Sequence, residues 1–246
     1  MDLPQPPPHG SDPIITQFKP VRNQWELTED NIKRTDPETG RTILHNYCQH
    51  IKTTPLGVYR YLIETQGCDV NVQNKYNNTP IQRALFYFDP RTGGDITVLT
   101  YLLNQNSVNL NIKGRSGHTL LHYACEQINY LPLEIFKMLI ETMGCDVNAQ
   151  DNDKNTPIHC AFQKFDPNQG GGDGITVLLY LLGHEDANVN IKNEKGCNLL
   201  HFTCINNFAD IDDSAELNGE YDTVLCQVVE FITERWIQLI LDETTP

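Results

Sequence analysis

Four histidines, His45, His122, His159 and His201, each stand three residues after a Thr or Asn in a recurring phrase. Imidazole serves as metal ligand and as general base, so a recurrent histidine first raises the question of a site. The steps between them, 77, 37 and 42 residues, put each on a separate structural unit, where they cannot converge on one ion. The reading is instead a hydrogen bond from each ring to the neighbouring turn, with Gln82 offering similar polar atoms in the unit without a histidine. His159 and Cys160 are adjacent, and neighbours on a helix point about 100° apart, which is poor placement for a base and its nucleophile. His184-Glu185 begins like H-E-x-x-H, but Asn188 stands where the second ligand belongs. The glycines at 170, 171, 172 and 174 lack the Lys-Ser/Thr that completes a phosphate cradle. There is no G-x-S-x-G elbow and no kinase signature. The acids at 210, 212, 213, 216, 220 and 222 do not have calcium-loop spacing and read as a solvated loop. No catalytic, cofactor-binding or metal residue is assigned, and the chain reads as non-enzymatic.

The elements that carry these residues repeat. IETQGCDVNVQNKYNNTP (63–80) returns 77 residues later as IETMGCDVNAQDNDKNTP (140–157). Five units follow one another over 36–73, 74–113, 114–150, 151–192 and from 193 onwards, and a repeat must be settled before any other reading. Their signature positions, Thr42, Thr79, Thr119, Thr156 and Asn198, step by 37, 40, 37 and 42 residues, as duplication of a two-unit block would give. Gly40, Gly117 and Gly196 supply positive φ at a tight turn, with Asn77 and Lys154 in that place in the even units. Thr79-Pro80 and Thr156-Pro157 read as helix starts, since Thr caps free N–H groups and Pro at the first position loses no bond. Apolar spacing then becomes helical, and Leu62, Leu102, Leu139 and Leu181 take equivalent buried places on the second helices. Gly67 and Gly144 fit a left-handed helix stop, with Cys68 and Cys145 as buried thiols after it. Even units insert FDPRTGGD (88–95) or FDPNQGGGDG (165–174) between their helices, on the side opposite the turns.

Composition bounds the partners. A net charge of −14 argues against a phosphate-backbone partner, because no basic surface is expected to remain after local pairing. Eight cysteines without a C-x-x-C read as reduced thiols of an intracellular protein. No apolar run serves as a signal peptide, and 223–241 is broken by five polar residues, so no membrane span is expected. Residues 1–28, with prolines at 4, 6, 7, 8, 13 and 20, read as a disordered arm, or else as a docking peptide. Trp25 and Ile32 are candidates to cover the open flank of the first unit. Residues 206–222 form the acidic loop, and 223–246 a helix that completes the fifth unit and caps the array.

The Thr-Pro-Ile-His-Cys-Ala phrase at 156–161 and its echoes at Thr119, Thr79 and Thr42 resemble the ankyrin repeat, over residues 36–205. The fold implied is an all-α ankyrin-repeat solenoid of about five helix–turn–helix units with β-turn fingers. The inserts, together with units closing in CDVN and VNIK, are similar to the ankyrin proteins of orthopoxviruses. That resemblance implies a viral, non-enzymatic interaction module of the host cytoplasm. It would bind a host signalling protein, of the innate-immune, NF-κB type, through the concave face, with no cofactor, nucleic acid, membrane or small-molecule substrate. The alternative is a substrate adaptor of a cullin-type ubiquitin ligase, which in such relatives docks by an F-box-like C-terminal segment. With the sequence ending at Pro246, that module is expected to be lacking, which leaves adaptor use of helix 223–241, or a truncated remnant, as the other readings. On this fold the partner-binding candidates are finger-tip residues Arg41, Lys75, Tyr76, Arg115, His118, Asp153, Lys154 and Lys195. First-helix residues Arg83, Tyr87 and Glu126, with Gln49 and Gln163, are expected to line the groove behind them.

Overall fold

Four of the five fingers open on a residue whose side chain closes the turn in place of backbone. Asp36 accepts the Glu38 N–H at 2.9 Å, and Asn74 accepts those of Tyr76 and Asn78 at 2.8 and 3.2 Å. Asp151 accepts from Asp153 and Asn155, and Asn193 from Lys195 and Cys197, all within 3.0 Å. Short Asn and Asp side chains reach their own backbone two to four residues on, so they favour this turn over helix. The finger then needs a left-handed residue. Gly40, Gly117 and Gly196 take φ of 70°, 81° and 76°, and Asn77 and Lys154 take 62° and 60°. Ser116 joins them at 59°, a position its residue type did not announce.

The computed structural model describes residues 27–92, 94–166, 174–199 and 201. Among these are nine α-helices and no strands: α1 Glu29–Lys33, α2 Ile43–Gln49, α3 Leu56–Arg60, α4 Pro80–Tyr87, α5 Ile96–Leu103, α6 Leu120–Glu126, α7 Leu133–Lys137, α8 Pro157–Lys164 and α9 Gly174–Gly183. Helices α2, α4, α6 and α8 are the first helices of four units and stack on one another, and α3, α5, α7 and α9 form the outer row. The sequence readings that fall on 1–26, 167–173, 202–246 and residues 93 and 200 lie outside the described residues. Among these readings are Trp25, the acidic loop and the last helix. The packing reaches back to Leu27, which is buried, and to Thr28, whose hydroxyl accepts the Asn31 N–H and caps α1; Ile32 is buried on that helix. Among the described residues no helix is long and apolar enough to cross a membrane.

First helices start with a reciprocal cap. In unit one the Thr42 N–H donates to His45 Nδ1 at 3.1 Å, and the same bond recurs at Thr119–His122, Thr156–His159 and Asn198–His201. Thr79 N–H donates to Gln82 Oε1 at 2.8 Å, so glutamine performs the same task in unit two. With Nδ1 accepting, the proton of the neutral ring sits on Nε2. His45 Nε2–H then donates to the Asn78 carbonyl at 2.9 Å, and His122 Nε2–H to that of Asn155 at 3.1 Å. Gln82 reaches the Ile112 carbonyl at 2.9 Å. The two histidine bonds tie one unit to the finger of the next, and the Gln82 bond holds the end of its own unit just before the third finger opens.

The outer helices of the odd units widen at their ends. Tyr61–Thr65 and Met138–Thr142 are π-helical turns that continue α3 and α7. Gly67 and Gly144 stop them at φ 67° and 76°, and Cys68 and Cys145 N–H return to the Leu62 and Leu139 carbonyls, as in a helix-terminating loop with one extra residue. Cys68 and Cys145 are half-buried rather than buried, because they follow the stop at the edge of the stack; among the described residues Cys48, Cys125 and Cys160 are the buried thiols. Leu62, Leu102, Leu139 and Leu181 are each fully buried.

The duplication shows in the contacts. Asn71 donates to the Ser107 carbonyl and accepts the Asn109 N–H, and Asn148 does the same with Asp186 and Asn188. Tyr101 donates to Glu64 at 3.0 Å, and Tyr180 to Glu141 at 2.9 Å. The Asn of each CDVN phrase is therefore a stitch between an odd unit and the even one after it. The first insert folds against the neighbouring helix–helix loops, with Asp89 paired to Lys52 at 3.7 Å and Arg91 lying 4.0 Å from the Tyr130 ring centre.

Burial pulls the pKa of His45 and of His122 down to about 4. The unfolded chain takes up these protons near its ordinary value of 6.5, so the stability they preserve is full above pH 6.5 and is lost as pH falls towards 4. At about 1.4 kcal/mol per pKa unit, the loss is on the order of 3 kcal/mol per ring. The urea midpoint should fall over this window, and the double variant His45→Gln with His122→Gln, which copies the arrangement at Gln82, should flatten the fall. An unchanged slope in the double variant would refute the assignment.

Candidate binding cleft between the fingers and first helices

Fingers are joined tip to tip by a backbone bond. Lys75 N–H donates to Thr39 at 2.9 Å, Asn152 N–H to Ser116 at 2.9 Å and Glu194 N–H to Asp153 at 2.8 Å. Between the second and third fingers the bond goes to a side chain instead. Asn78 Oδ1 accepts the Arg115 N–H at 2.8 Å and the Tyr123 hydroxyl at 2.7 Å. The third finger opens on Gly114, where the others open on Asp36, Asn74, Asp151 and Asn193. A Cβ at Gly114 would lie 2.6 Å from the Tyr123 hydroxyl and 2.8 Å from Asn78 Oδ1. Its missing side chain is what admits Tyr123 from α6.

In front of this junction is a cleft of about 550 Å³. Arg41, Tyr76 and Arg115 come to it from three fingers, and Arg83, Phe86 and Tyr87 from α4. His118, Tyr123 and Glu126 close it from the third unit. Seven of the eleven sequence candidates meet here: Arg41, Tyr76, Arg83, Tyr87, Arg115, His118 and Glu126. Lys75, Asp153, Lys154 and Lys195 do not line it. Lys75 is occupied with the scaffold, its ammonium donating to the Pro37 carbonyl at 2.7 Å. Lys154 spends its backbone on the left-handed turn. Gln163 is exposed and also lies outside the cleft lining.

Arg83 is only 5% exposed, more deeply set than a groove-lining surface residue was expected to be. Its Nε donates to the His45 carbonyl at 3.3 Å, its guanidinium sits 5.2 Å from the Tyr87 ring centre, and it also reaches Gln49 Oε1. Burial and the neighbouring Arg41 cation both pull its pKa below the ordinary value. Sequence reasoning missed Phe86, 45% exposed, and Tyr123. Phe86 stands three residues after Arg83 on α4, a spacing that shares a helix face and was available in the sequence. Tyr123 was hidden by its dependence on Gly114.

On the far wall, His118 lies 3.3 Å from Asp151 and 3.8 Å from Glu126, stacked on His122 at 5.3 Å between centres. His118, Asp151 and Cys160 bring ligand-type atoms within 4.8 Å of one another, a grouping the sequence did not disclose. Asp151 already holds the fourth finger through the Asp153 and Asn155 N–H groups. Burial, with Asp151 and Glu126 nearby, pushes the Cys160 thiol up to about 12, so it keeps its proton at neutral pH. Burial also raises the Glu126 pKa, opposed by His118. Among the described residues no ion pair involves Arg41, Arg83 or Arg115.

Residues 90–179 match the family model Ankyrin repeats (3 copies). With the fingers and paired helices, this makes the described structure an all-α ankyrin-repeat solenoid. A probable serine/threonine-protein kinase of Dictyostelium discoideum is 27% identical over 99 residues, 40% of this chain and 11% of that protein. Serine/threonine-protein kinase TNNI3K of Mus musculus is 32% identical over 35% of this chain and 10% of its own length. Alpha-latrocrustotoxin-Lt1a of Latrodectus tredecimguttatus is 29% identical over 60% of this chain and 9% of its own. The chain thus spans about a tenth of the length of these curated relatives. A likeness this partial carries no kinase activity to this chain; what is shared is the repeat, a protein-interaction module.

Gly114→Ala should cost about 1–3 kcal/mol in urea unfolding, the usual cost of crowding a packed site. Adding Tyr123→Phe, which removes the nearest of the three oxygens such a Cβ would meet, should restore part of it. Full stability of the single variant would contradict the close approach.

Proposed function

We propose that this chain is a non-enzymatic binding module that grips one protein partner in the cleft between fingers one to three and helices α4 and α6. The observation that carries this reading is the pairing of exposed Tyr76 and Phe86 with arginines that no described acid neutralises. Large exposed apolar side chains are informative when they cluster, and aromatic residues with Arg dominate contact energies at protein interfaces. Ankyrin repeats act in protein binding, which supports the general role. The finer reading rests on the CDVN and VNIK phrases and the inserts: a viral protein of the host cytoplasm, acting on a host signalling protein of the innate-immune, NF-κB type. The adaptor reading draws no support from the cleft.

Tyr76→Glu combined with Phe86→Glu should reduce capture of a partner from vertebrate-cell lysate by at least about tenfold, roughly the loss of one hot-spot residue. Lys195→Glu, away from the cleft, should leave capture unchanged, and the far-UV spectra should match. Undiminished capture by the double variant would overturn this function.

A further inference from the structure

Two guanidinium groups that line the cleft converge on one neutral oxygen. Arg41 donates to Gln49 Oε1 at 3.4 Å, and Arg83 donates to the same atom. Arg41 Nε is buried without a hydrogen-bond partner. Arg83 is more than nine-tenths buried, and it donates to the His45 carbonyl and to Gln49, both uncharged. The chain has 32 acidic and 18 basic residues, so acids are in excess, and yet among the described residues none pairs with either guanidinium. The ion pairs among the described residues join Asp89, Glu126, Asp151 and Asp186 to Lys52, Arg91, His118 and His184. Buried cations are normally paired, because a charge removed from water without a counter-charge is costly. Two like charges sharing one acceptor repel, and an anion between them would relieve both costs.

We propose that Arg41 and Arg83 anchor a carboxylate side chain of the partner, so that the cleft reads an acidic peptide position flanked by aromatic residues. This rests on the protein-binding reading and specifies its ligand chemistry. The guanidinium fork matches a carboxylate bidentately, and Arg115 at the rim adds a third cation. Tyr76 and Phe86, 51% and 45% exposed, offer aromatic surface to the neighbouring side chains. A single negative charge suits the site better than a phosphate dianion. Glu126 lines the same cleft and the chain carries a net charge of −14, and both repel a second charge.

The test is a titration of the full chain followed at the arginine Nε–H resonances. The probe is acetyl-Tyr-Glu-Phe-amide, compared with its Gln and phosphoserine counterparts. The Glu peptide should shift the Arg41 and Arg83 signals and bind at least about tenfold more tightly than the Gln peptide, the size of one charge-assisted hydrogen bond. Arg41→Gln, at a half-exposed position, should remove that preference while the remaining spectrum stays native; Arg83→Lys is the second, more buried variant. Equal affinity for the Glu and Gln peptides, absence of any arginine shift, or tighter binding of the phosphoserine peptide would overturn the proposal. Partner capture lost in the Tyr76/Phe86 double variant but kept in Arg41→Gln would overturn it too, while leaving the binding function standing.

Discussion

A hydrogen bond from an imidazole Nε2–H to a carbonyl beside the next finger is the interaction on which the array depends. It works only because the other ring nitrogen is already engaged by the N–H of the helix cap. One residue thus closes the start of its own helix and fixes the position of the following unit. A repeat cannot bury its apolar face alone, so its stability is shared with its neighbours, and the register between units has to be set at every step. His45 and His122 meet that requirement through full burial, at the cost of a ring that stays neutral only above its depressed pKa. Gln82 caps its helix in the same way without a titratable group and holds the Ile112 carbonyl just before the third finger.

Once the register is set, the array can tolerate local exceptions, and its distinctive surface comes from one. At three finger junctions the contact is backbone to backbone, which leaves no choice of side chain. At the second junction Gly114 opens the finger and the contact passes to Asn78. Tyr123 then enters from α6 and shares the same oxygen. The cleft therefore sits where the repeat departs from its own rule. Framework residues repeat because geometry repeats; the residues free to differ are those the stack does not need.

That division explains what was legible in the sequence. The finger turns, the Thr caps, the left-handed Gly67 and Gly144 and the buried Leu62, Leu102, Leu139 and Leu181 follow local rules, and each could be placed from residue type and spacing alone. The cleft was legible in part, since Arg41, Tyr76, Arg83, Tyr87, Arg115, His118 and Glu126 stand at finger or first-helix positions. What spacing could not supply was depth. Whether Arg83 lies at the surface or under it depends on Gln49 and His45 in the preceding unit, 34 and 38 residues away. Nor did local pattern reveal that Asp151, a turn former by type, stands against His118 of another finger.

The charge balance gives the cleft its meaning. In a chain with net charge −14, a surface without special design would pair its arginines with the nearest acids. Lys52 and Arg91 do so with Asp89, on the side of the inserts. Arg83 instead spends its burial against uncharged oxygens and a tyrosine ring. Long-range repulsion from the rest of the molecule disfavours a highly acidic partner, while the local cations reward a single well-placed acid. Affinity for bulk negative charge and recognition of one carboxylate are thereby set against each other, and that opposition is a source of specificity because it penalises the wrong ligands as well as favouring the right one.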